Sequence, residues 1–265
     1  MYIVSSHRHI CSAAELDGIE QQYQVKLPEG YGQFLQQYGQ GTYCDWFHVN
    51  MPDAERLQQF AEYGLWEHEQ DSPITATQLR DCVVIASTVD GDMLALHSDV
   101  KGGLWLPRHS EQIMAVSWQE LSWQAFMNGE LQRLYTGAPT SLERQCYFEP
   151  WNGRQQHEFV MLQPQYAAVH VAAGSELTLE HKQAYLRNVA AQIAEHYVPA
   201  LRLENPYWGK LFYRELEGYV RFNYAYGNEV ALFYEPVSEH GDGQAQAGKT
   251  FMEIMREQLK LWGIY

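Results

Sequence analysis

The chain has 265 residues, of which 46% are hydrophobic and 14% aromatic, enough apolar material for one large or two ordinary globular domains. It has no apolar run of the roughly 18 residues that a membrane span needs, and its first residues lack the basic leader of a signal peptide. We therefore expect a cytoplasmic protein without membrane insertion. The four cysteines are scattered and form no Cys-x-x-Cys pair, which argues against a disulfide framework or a cysteine zinc site.

Charge is unevenly distributed along the chain. The net charge is -15; residues 1–140 carry 7 Lys and Arg against 18 Asp and Glu, and residues 141–265 carry 11 against 15. The first half is therefore the acidic half, with a net charge of -11 against -4 for the rest. Such a field repels nucleic acid and anionic membranes and attracts a basic protein, although solubility explains it equally well.

The first half begins with helix signals. Ser12 and Glu15 have the spacing of a capping box, in which each side chain satisfies a free backbone N–H of the first turn. Pro28 suits the first position of a second helix, and Gly39 can adopt the left-handed conformation that ends it. A third helix is predicted to start at Asp53. The apolar face of the second helix comprises Tyr31, Phe34, Leu35 and Tyr38.

The apolar period then changes from that of a helix to that of a strand. Asp90-Gly91 between two apolar runs predicts a β-hairpin, because both residues tolerate positive φ. The segments "GLWLPR" and "IMAVS" predict two further strands. Ser117 and Glu120 have capping-box spacing and predict the start of a closing helix.

A second α+β domain is predicted after a linker. The segment "LYTGAPTSLERQ" has linker composition, so we divide the chain into residues 1–138 and 139–265. Strands are expected at "CYFEP", "EFVMLQ" and "YAAVHVA", followed by a helix from Thr178, an aromatic antiparallel meander and a last helix capped by Thr250 and Glu253. The fold class is α+β in both halves.

The glycine-rich and acidic motifs do not have the context of a ligand site. Gly30, Gly32 and Gly39 lie within and after a helix pattern, whereas phosphate-binding loops place their glycines between a strand and a helix. The segment after Asp90-Gly91-Asp92 lacks the remaining acidic ligands of a calcium loop. His7 and His9 have no identifiable third metal ligand. We predict no metal and no cofactor.

No catalytic constellation is identified either. Cys44, Asp45 and His48 are close in sequence, but the Asp45 carboxylate would raise the thiol pKa rather than lower it. Neither a Gly-x-Ser-x-Gly elbow nor a His-Glu-x-x-His motif occurs. We therefore predict a protein without catalytic residues.

Two features are candidates for partner binding. The aromatic meander of the second half either exposes one face or is covered by the helices from Thr178 and Thr250, and we favour the second interpretation because paired faces are usual in layered domains. The acidic segment after Trp66 is either the rim of a contact site or a solvated loop. The candidate partner-binding residues are Asp45, Trp46, Trp66, Glu67, Glu69, Asp71, Asp90 and Asp92.

The first half resembles the SUKH superfamily over about residues 12–132. The resemblance lies in "ELDGIEQQYQVKLPEGYGQFLQQYGQG", in the Gly-Asp strand of "STVDGDMLALH" and in the closing helix of "AVSWQELSWQAFMNGEL". Gln40 departs from the family pattern, which usually has Asn-Gly or Gly-Gly there, and the fold assignment is unaffected. The residues that define the fold are Leu27, Pro28, Tyr31, Phe34, Leu35, Gly39 and Gly91.

The resemblance implies an α+β domain with a binding role. Bacterial members are often immunity proteins that neutralise polymorphic toxins, many of them nucleases; other members are cell-wall assembly regulators and the Syd protein. We therefore expect a protein partner, a basic toxin domain encoded nearby, with a Syd-like or wall-regulator scaffold as the alternative. A hydrolase site in the second half is a third possibility, which a deep pocket with convergent polar groups would favour.

Overall fold

The computed structural model describes residues 1–61, 63–66, 71–109, 112–118, 121–134, 146–169, 171, 175–236 and 243–265. These residues form two compact units, one of Met1 with His7–Trp151 and one of Tyr2–Ser6 with Asn152–Tyr265. The predicted boundary between residues 138 and 139 falls outside the described residues and stays a prediction.

The helices and strands are as follows. The helices are α1 (Ala13–Tyr23), α2 (Glu29–Tyr38), α3 (Gln58–Ala61), α4 (Trp123–Leu134), α5 (Pro164–Ala168), α6 (Leu179–His196) and α7 (Gly243–Leu261), with 3-10 turns at Gln78–Asp81 and Arg214–Leu216. The strands are β1 (Tyr2–Ile3), β2 (Gly41–Tyr43), β3 (Phe47–Asp53), β4 (Val83–Thr88), β5 (Met93–Leu96), β6 (Gly103–Leu106), β7 (Met114–Val116), β8 (Tyr147–Pro150), β9 (Gln156–Met161), β10 (Leu201–Glu204), β11 (Trp208–Tyr213), β12 (Gly218–Asn223) and β13 (Glu229–Tyr234). The predicted α+β class is confirmed.

The sheet of the first unit is an antiparallel meander with one strand added at its edge. Its strands lie in the order β8-β2-β3-β4-β5-β6-β7. The segment "CYFEP" was expected to begin the second domain, but its strand β8 pairs with β2, with Phe148 opposite Tyr43. The chain therefore returns to the first sheet after α4.

Both faces of this sheet are buried. On one face, α2 packs through Phe34 against Phe148, with ring centroids 5.0 Å apart, and α4 packs through Trp123 against Phe47 at 6.2 Å. The opposite face is covered by the segment between β3 and β4, whose buried members contact Ala95 and Leu104 on the sheet. Those members are Leu57, Trp66, Ile74, Leu79 and Cys82.

The predicted helix starts are confirmed at some positions and wrong at others. The Ser12–Glu15 capping box is present, with the Glu15 backbone N donating to Ser12 Oγ at 3.3 Å. Pro28 is the N-cap of α2 and precedes its first residue. Asp53 ends β3, and its carboxylate accepts the backbone N–H of Glu55 at 2.8 Å, so the next helix starts only at Gln58.

The start of α4 is also later than predicted. The prediction placed it at Ser117–Glu120; residues 119 and 120 lie outside the described residues, and the helix begins at Trp123. Ser122 Oγ accepts the backbone N–H of Ala125 at 3.2 Å, as an N-cap side chain does. Ser122 therefore performs the capping role that the spacing had suggested for Ser117.

The second unit is a five-stranded antiparallel sheet in the order β10-β11-β12-β13-β9. Helix α6 starts at the predicted Thr178 cap, whereas α7 begins at Gly243, so Thr250 lies inside it rather than at its start. The segment "YAAVHVA" was predicted as a strand, but its described part begins within α5. A buried cluster joins α6 and α7 to one sheet face, including Tyr213, Phe222 and Tyr224.

The aromatic meander is largely buried on both faces. Phe212 and Tyr219, which alternate with the residues facing the helices, are 0% and 4% exposed. The exposed aromatics lie at the strand ends, where Tyr207 is 67% and Tyr226 71% exposed. Among the described residues, no helix is long and apolar enough to cross a membrane.

Candidate partner-binding surface

Three hairpin connections meet at one end of the first sheet. Because β2 to β7 form an antiparallel meander, apart from the long insertion between β3 and β4, the turns β2–β3, β4–β5 and β6–β7 all lie at the same end. Asp45 is in the first turn, Asp90 and Asp92 are in the second, and Arg108 is at the start of the third. We call this end the acidic turn edge, defined by residues 44–46, 89–92 and 107–109.

The first turn holds Asp45 in a left-handed backbone conformation. Cys44 and Asp45 have φ of 51° and 60°, and the Trp46 backbone N donates to the Tyr43 carbonyl at 3.0 Å. Two successive residues with positive φ are typical of the type I′ turn that matches the twist of a two-residue hairpin. The turn places the half-buried Asp45 at the tip of the hairpin.

The second turn is stabilised by its own side chains. Gly91 has φ of 93°, and its backbone N donates to the Thr88 carbonyl at 3.1 Å. The Asp92 backbone N donates to Thr88 Oγ1, also at 3.1 Å. A Cβ at Gly91 would also lie 2.6 Å from Cδ of Arg108, so that the Arg108 side chain would have to shift. The predicted Asp90-Gly91 hairpin is thus present.

Backbone contacts bring the turns together. The Val89 backbone N donates to the Trp46 carbonyl at 3.0 Å, which joins the first two turns. The Arg108 backbone N donates to Asp92 Oδ1 at 2.8 Å, and its Nη1 donates to the Asp90 carbonyl at 3.3 Å. The edge therefore has three carboxylates and one guanidinium, and its charge is net negative.

The two tryptophans predicted as binding residues lie in the core. Trp46 and Trp66 are each 5% exposed. Trp46 packs against Phe47 with centroids 5.1 Å apart, and Trp66 Nε1 donates to the Pro107 carbonyl at 3.0 Å. Both indoles are therefore part of the core that supports the acidic turn edge, and neither is exposed enough to contact a partner.

The acidic segment after Trp66 is only partly described. Glu67 and Glu69 lie outside the described residues. Asp71 is exposed, in a turn that no described contact joins to residues 44–46 or 89–92. The described structure therefore brings together Asp45, Asp90 and Asp92 from the predicted set.

Sequence reasoning missed the exposed apolar residues of this region. Val89, the first residue of the second turn, is 52% exposed. Tyr63 and Leu65, which precede the buried Trp66 along the chain, are 73% and 46% exposed. Val89 directly follows strand β4 and precedes Asp90. The apolar pattern of the strand, continued by one residue, could therefore have identified it as an apolar neighbour of the acidic residues. Exposed apolar side chains ringed by charge are typical of a contact surface.

The Cys44 and Cys146 thiols lie beside the first turn and shift each other's pKa in opposite directions. The hydrogen bond between the Cys44 and Cys146 thiols raises the pKa of Cys44 and lowers that of Cys146 to about 5. Burial and the Asp45 carboxylate raise the Cys44 pKa further, in the direction predicted for Asp45. Cys44 is therefore held as the neutral thiol.

Comparison with protein families identifies the fold of the first unit. Residues 10–122 match the model of the SMI1 / KNR4 family (SUKH-1). Residues 10–122 therefore form a SUKH domain. The predicted resemblance is thus confirmed, and SUKH domains include immunity proteins and related regulators. Neither the curated proteins nor the solved structures contain a match to the chain.

The SUKH segment carries most of the negative charge. Residues 10–122 contain 5 Lys and Arg against 17 Asp and Glu, a net of -12, compared with -15 for the whole chain. The acidic turn edge lies entirely within this segment. The charge asymmetry seen in the sequence therefore coincides with one folded domain.

Proposed function

We propose that this SUKH protein is a non-catalytic cytoplasmic immunity protein that binds a basic toxin domain in a stoichiometric complex. The observation that carries the proposal is the net charge of -12 on the SUKH segment, because such a domain attracts a cationic partner and repels nucleic acid. A toxin that acts on nucleic acid needs a basic surface of its own. The two surfaces are complementary in charge.

The acidic turn edge is the part of the SUKH domain that we assign to the contact. Asp45, Asp90 and Asp92 supply negative charge from rigid turns, so little conformational entropy is lost when they pair with Lys or Arg. Val89, which is 52% exposed among them, supplies apolar area that is removed from water on binding. Neutralisation then requires only that the bound domain cover the toxin's substrate site.

The test is co-expression with the protein encoded by the adjacent gene. We expect that protein to arrest growth alone, to be tolerated with the immunity protein and to copurify with it at equal stoichiometry. Association should slow steeply as salt is raised, because charge steering is screened over about 8 Å at physiological ionic strength.

A paired substitution localises the contact. Asp45→Asn with Asp90→Asn removes two charges from the turn edge, and we expect association to slow by about tenfold at low salt. Asp17→Asn with Glu55→Gln, which removes two exposed charges outside the turn edge, is the matched control and should have little effect. If the adjacent product is harmless and no protein is retained at low salt, the proposal is wrong. Retention of a membrane-associated assembly instead would favour a Syd-like or wall-regulator role.

A further inference from the structure

A cleft of about 780 Å³ opens at the other end of the first sheet. Its walls come from the start of α2, from the β5–β6 connection and from the start of α4. In an antiparallel meander the β5–β6 connection lies opposite the β4–β5 turn, so the cleft is separate from the acidic turn edge. Its volume is in the range of sites for small ligands and peptide ends.

The apolar wall of the cleft is formed in advance of any ligand. Trp118 lies directly over Gly103, where a Cβ would come 2.1 Å from its ring. The same indole packs edge-on against Trp123 and Phe126, with centroids 6.4 and 5.9 Å apart. Leu121, 49% exposed, extends this wall. An apolar group would therefore meet a rigid aromatic surface.

His97 contributes a buried donor to the cleft. It is 6% exposed, and its Nδ1 accepts the backbone N–H of Asp99 at 3.1 Å, with the Asp99 carboxylate 3.9 Å from the same nitrogen. A ring whose Nδ1 accepts a hydrogen bond carries its proton on Nε2. Within the described part of the chain, Nε2 has no hydrogen-bond partner. His97 is among the residues that line the cleft.

Cationic and anionic side chains both line the cleft. The SUKH segment has two lysines, Lys26 and Lys101, and both line the cleft, whereas none of its arginines does. Lys26 pairs with Glu20 at 2.8 Å. Lys101 is exposed and has no ion pair with any described residue. The lining carboxylate of Glu29 accepts from Gln33 Nε2 at 3.0 Å.

We propose that this cleft binds an organic carboxylate that carries an apolar group. One carboxylate oxygen accepts from His97 Nε2–H and the other from the Lys101 ammonium, while the apolar group packs against Trp118 and Leu121. Charge-assisted hydrogen bonds of this kind are the stronger ones in proteins, and a donor on a largely buried side chain gains from a ligand acceptor. This site is distinct from the proposed toxin contact. It lies at the opposite end of the sheet, and its ligand is an anion rather than a basic protein.

The probes are N-acetyl-leucine and its neutral counterpart N-acetyl-leucinamide. Titration of the full-length protein, followed by backbone amide NMR, should give saturable shifts at 96–102 and 121–123 with the acid, with Kd on the order of 1 mM. The amide should leave those signals unchanged. A third probe, N-acetyl-leucyl-leucine, distinguishes the sources of the carboxylate: tighter binding indicates a polypeptide carboxyl end, and equal binding indicates a small acid.

Substitutions at the two assigned donors, Lys101 and His97, test their roles. Lys101→Ala should weaken binding of the acid by about tenfold, whereas Arg80→Ala removes the same charge outside the cleft and should not. His97→Gln keeps a side-chain N–H donor and should bind more tightly than His97→Phe, provided that both retain the native amide spectrum. Equal shifts with acid and amide, shifts confined to other residues, or no shift with any probe would overturn the proposal. None of these outcomes changes the result expected from co-expression with the adjacent gene, so the two proposals can fail independently.

Discussion

Gly30 on α2 lies so close to the start of α4 that a Cβ at this position would be 2.9 Å from the Trp123 backbone nitrogen and 2.9 Å from the Leu121 carbonyl oxygen. Because these two neighbours are backbone atoms, they cannot relieve the contact by a side-chain rotation. Gly30→Ala should therefore lower the free energy of unfolding by about 1–3 kcal/mol, the usual cost of overpacking. Urea denaturation followed by tryptophan fluorescence measures it.

Gly32 is the matched control two residues further along the same helix. A Cβ there would meet only Leu16 Cδ1, at an ordinary 3.6 Å. Gly32→Ala should raise stability by up to about 1 kcal/mol, because alanine is the better helix former. Equal losses for the two variants would contradict the role assigned to Gly30.

The Tyr31 hydroxyl donates to the Asn50 carbonyl at 2.5 Å in the buried core, where burial raises its pKa. Tyr31→Phe should cost about 1–2 kcal/mol of stability, since the carbonyl is left without its donor. Tyr38→Phe, on the same helix but half-buried, should cost less. A shift in the urea midpoint without a change in slope would show that only stability changed.

A pH-dependent contribution is expected in the second unit. Hydrogen bonds from Arg256, at 3.0 Å through Nε, and from Tyr234 lower the pKa of Glu158. A carboxyl pKa that is lower in the folded state stabilises the fold above the unfolded value of about 4.3, and this contribution is lost as pH falls through the folded value. The Glu158 and Arg256 side chains are 34% and 39% exposed. Solvent screening therefore keeps the contribution of this ion pair to the free energy of unfolding below about 1 kcal/mol.

The measurement is the thermal midpoint of Glu158→Gln against the parent protein between pH 7 and pH 3. The difference should be largest at pH 7 and should narrow as the pH falls. Glu257→Gln, an exposed position on α7, should show no such trend. A difference that stays constant with pH would mean that packing rather than charge is responsible.

Cys82 should resist alkylation in the folded protein. Burial, with a smaller contribution from Asp81, raises its pKa to about 12 from 9.0, and the side chain is 0% exposed. The thiolate fraction at pH 8 is then about 1,000-fold below that of a free thiol, and the thiolate is the reactive species. Peptide mass spectrometry after iodoacetamide treatment should find Cys82 labelled only in denaturant. Labelling at the rate of the unfolded chain would contradict its buried position.

Several local features were predictable because they depend on residues within a few positions of one another. The Ser12–Glu15 cap, the buried face of Tyr31, Phe34 and Leu35, and the Asp90-Gly91 turn are of this kind. The candidate site was predictable only in part. Its carboxylates were identified from composition, but nothing local indicates that the turns at Asp45 and Asp90 are neighbours.

By itself, the sequence determined the α+β class, the SUKH assignment and the acidic character of the first half, since composition, capping and apolar period are local properties. Only the tertiary structure decided that β8 returns to the first sheet, that Trp46 and Trp66 are buried, and that Gly30 lies against the start of α4. Each depends on contacts between residues far apart in the chain, and such pairings are set by the complementarity of whole faces rather than by neighbouring residues.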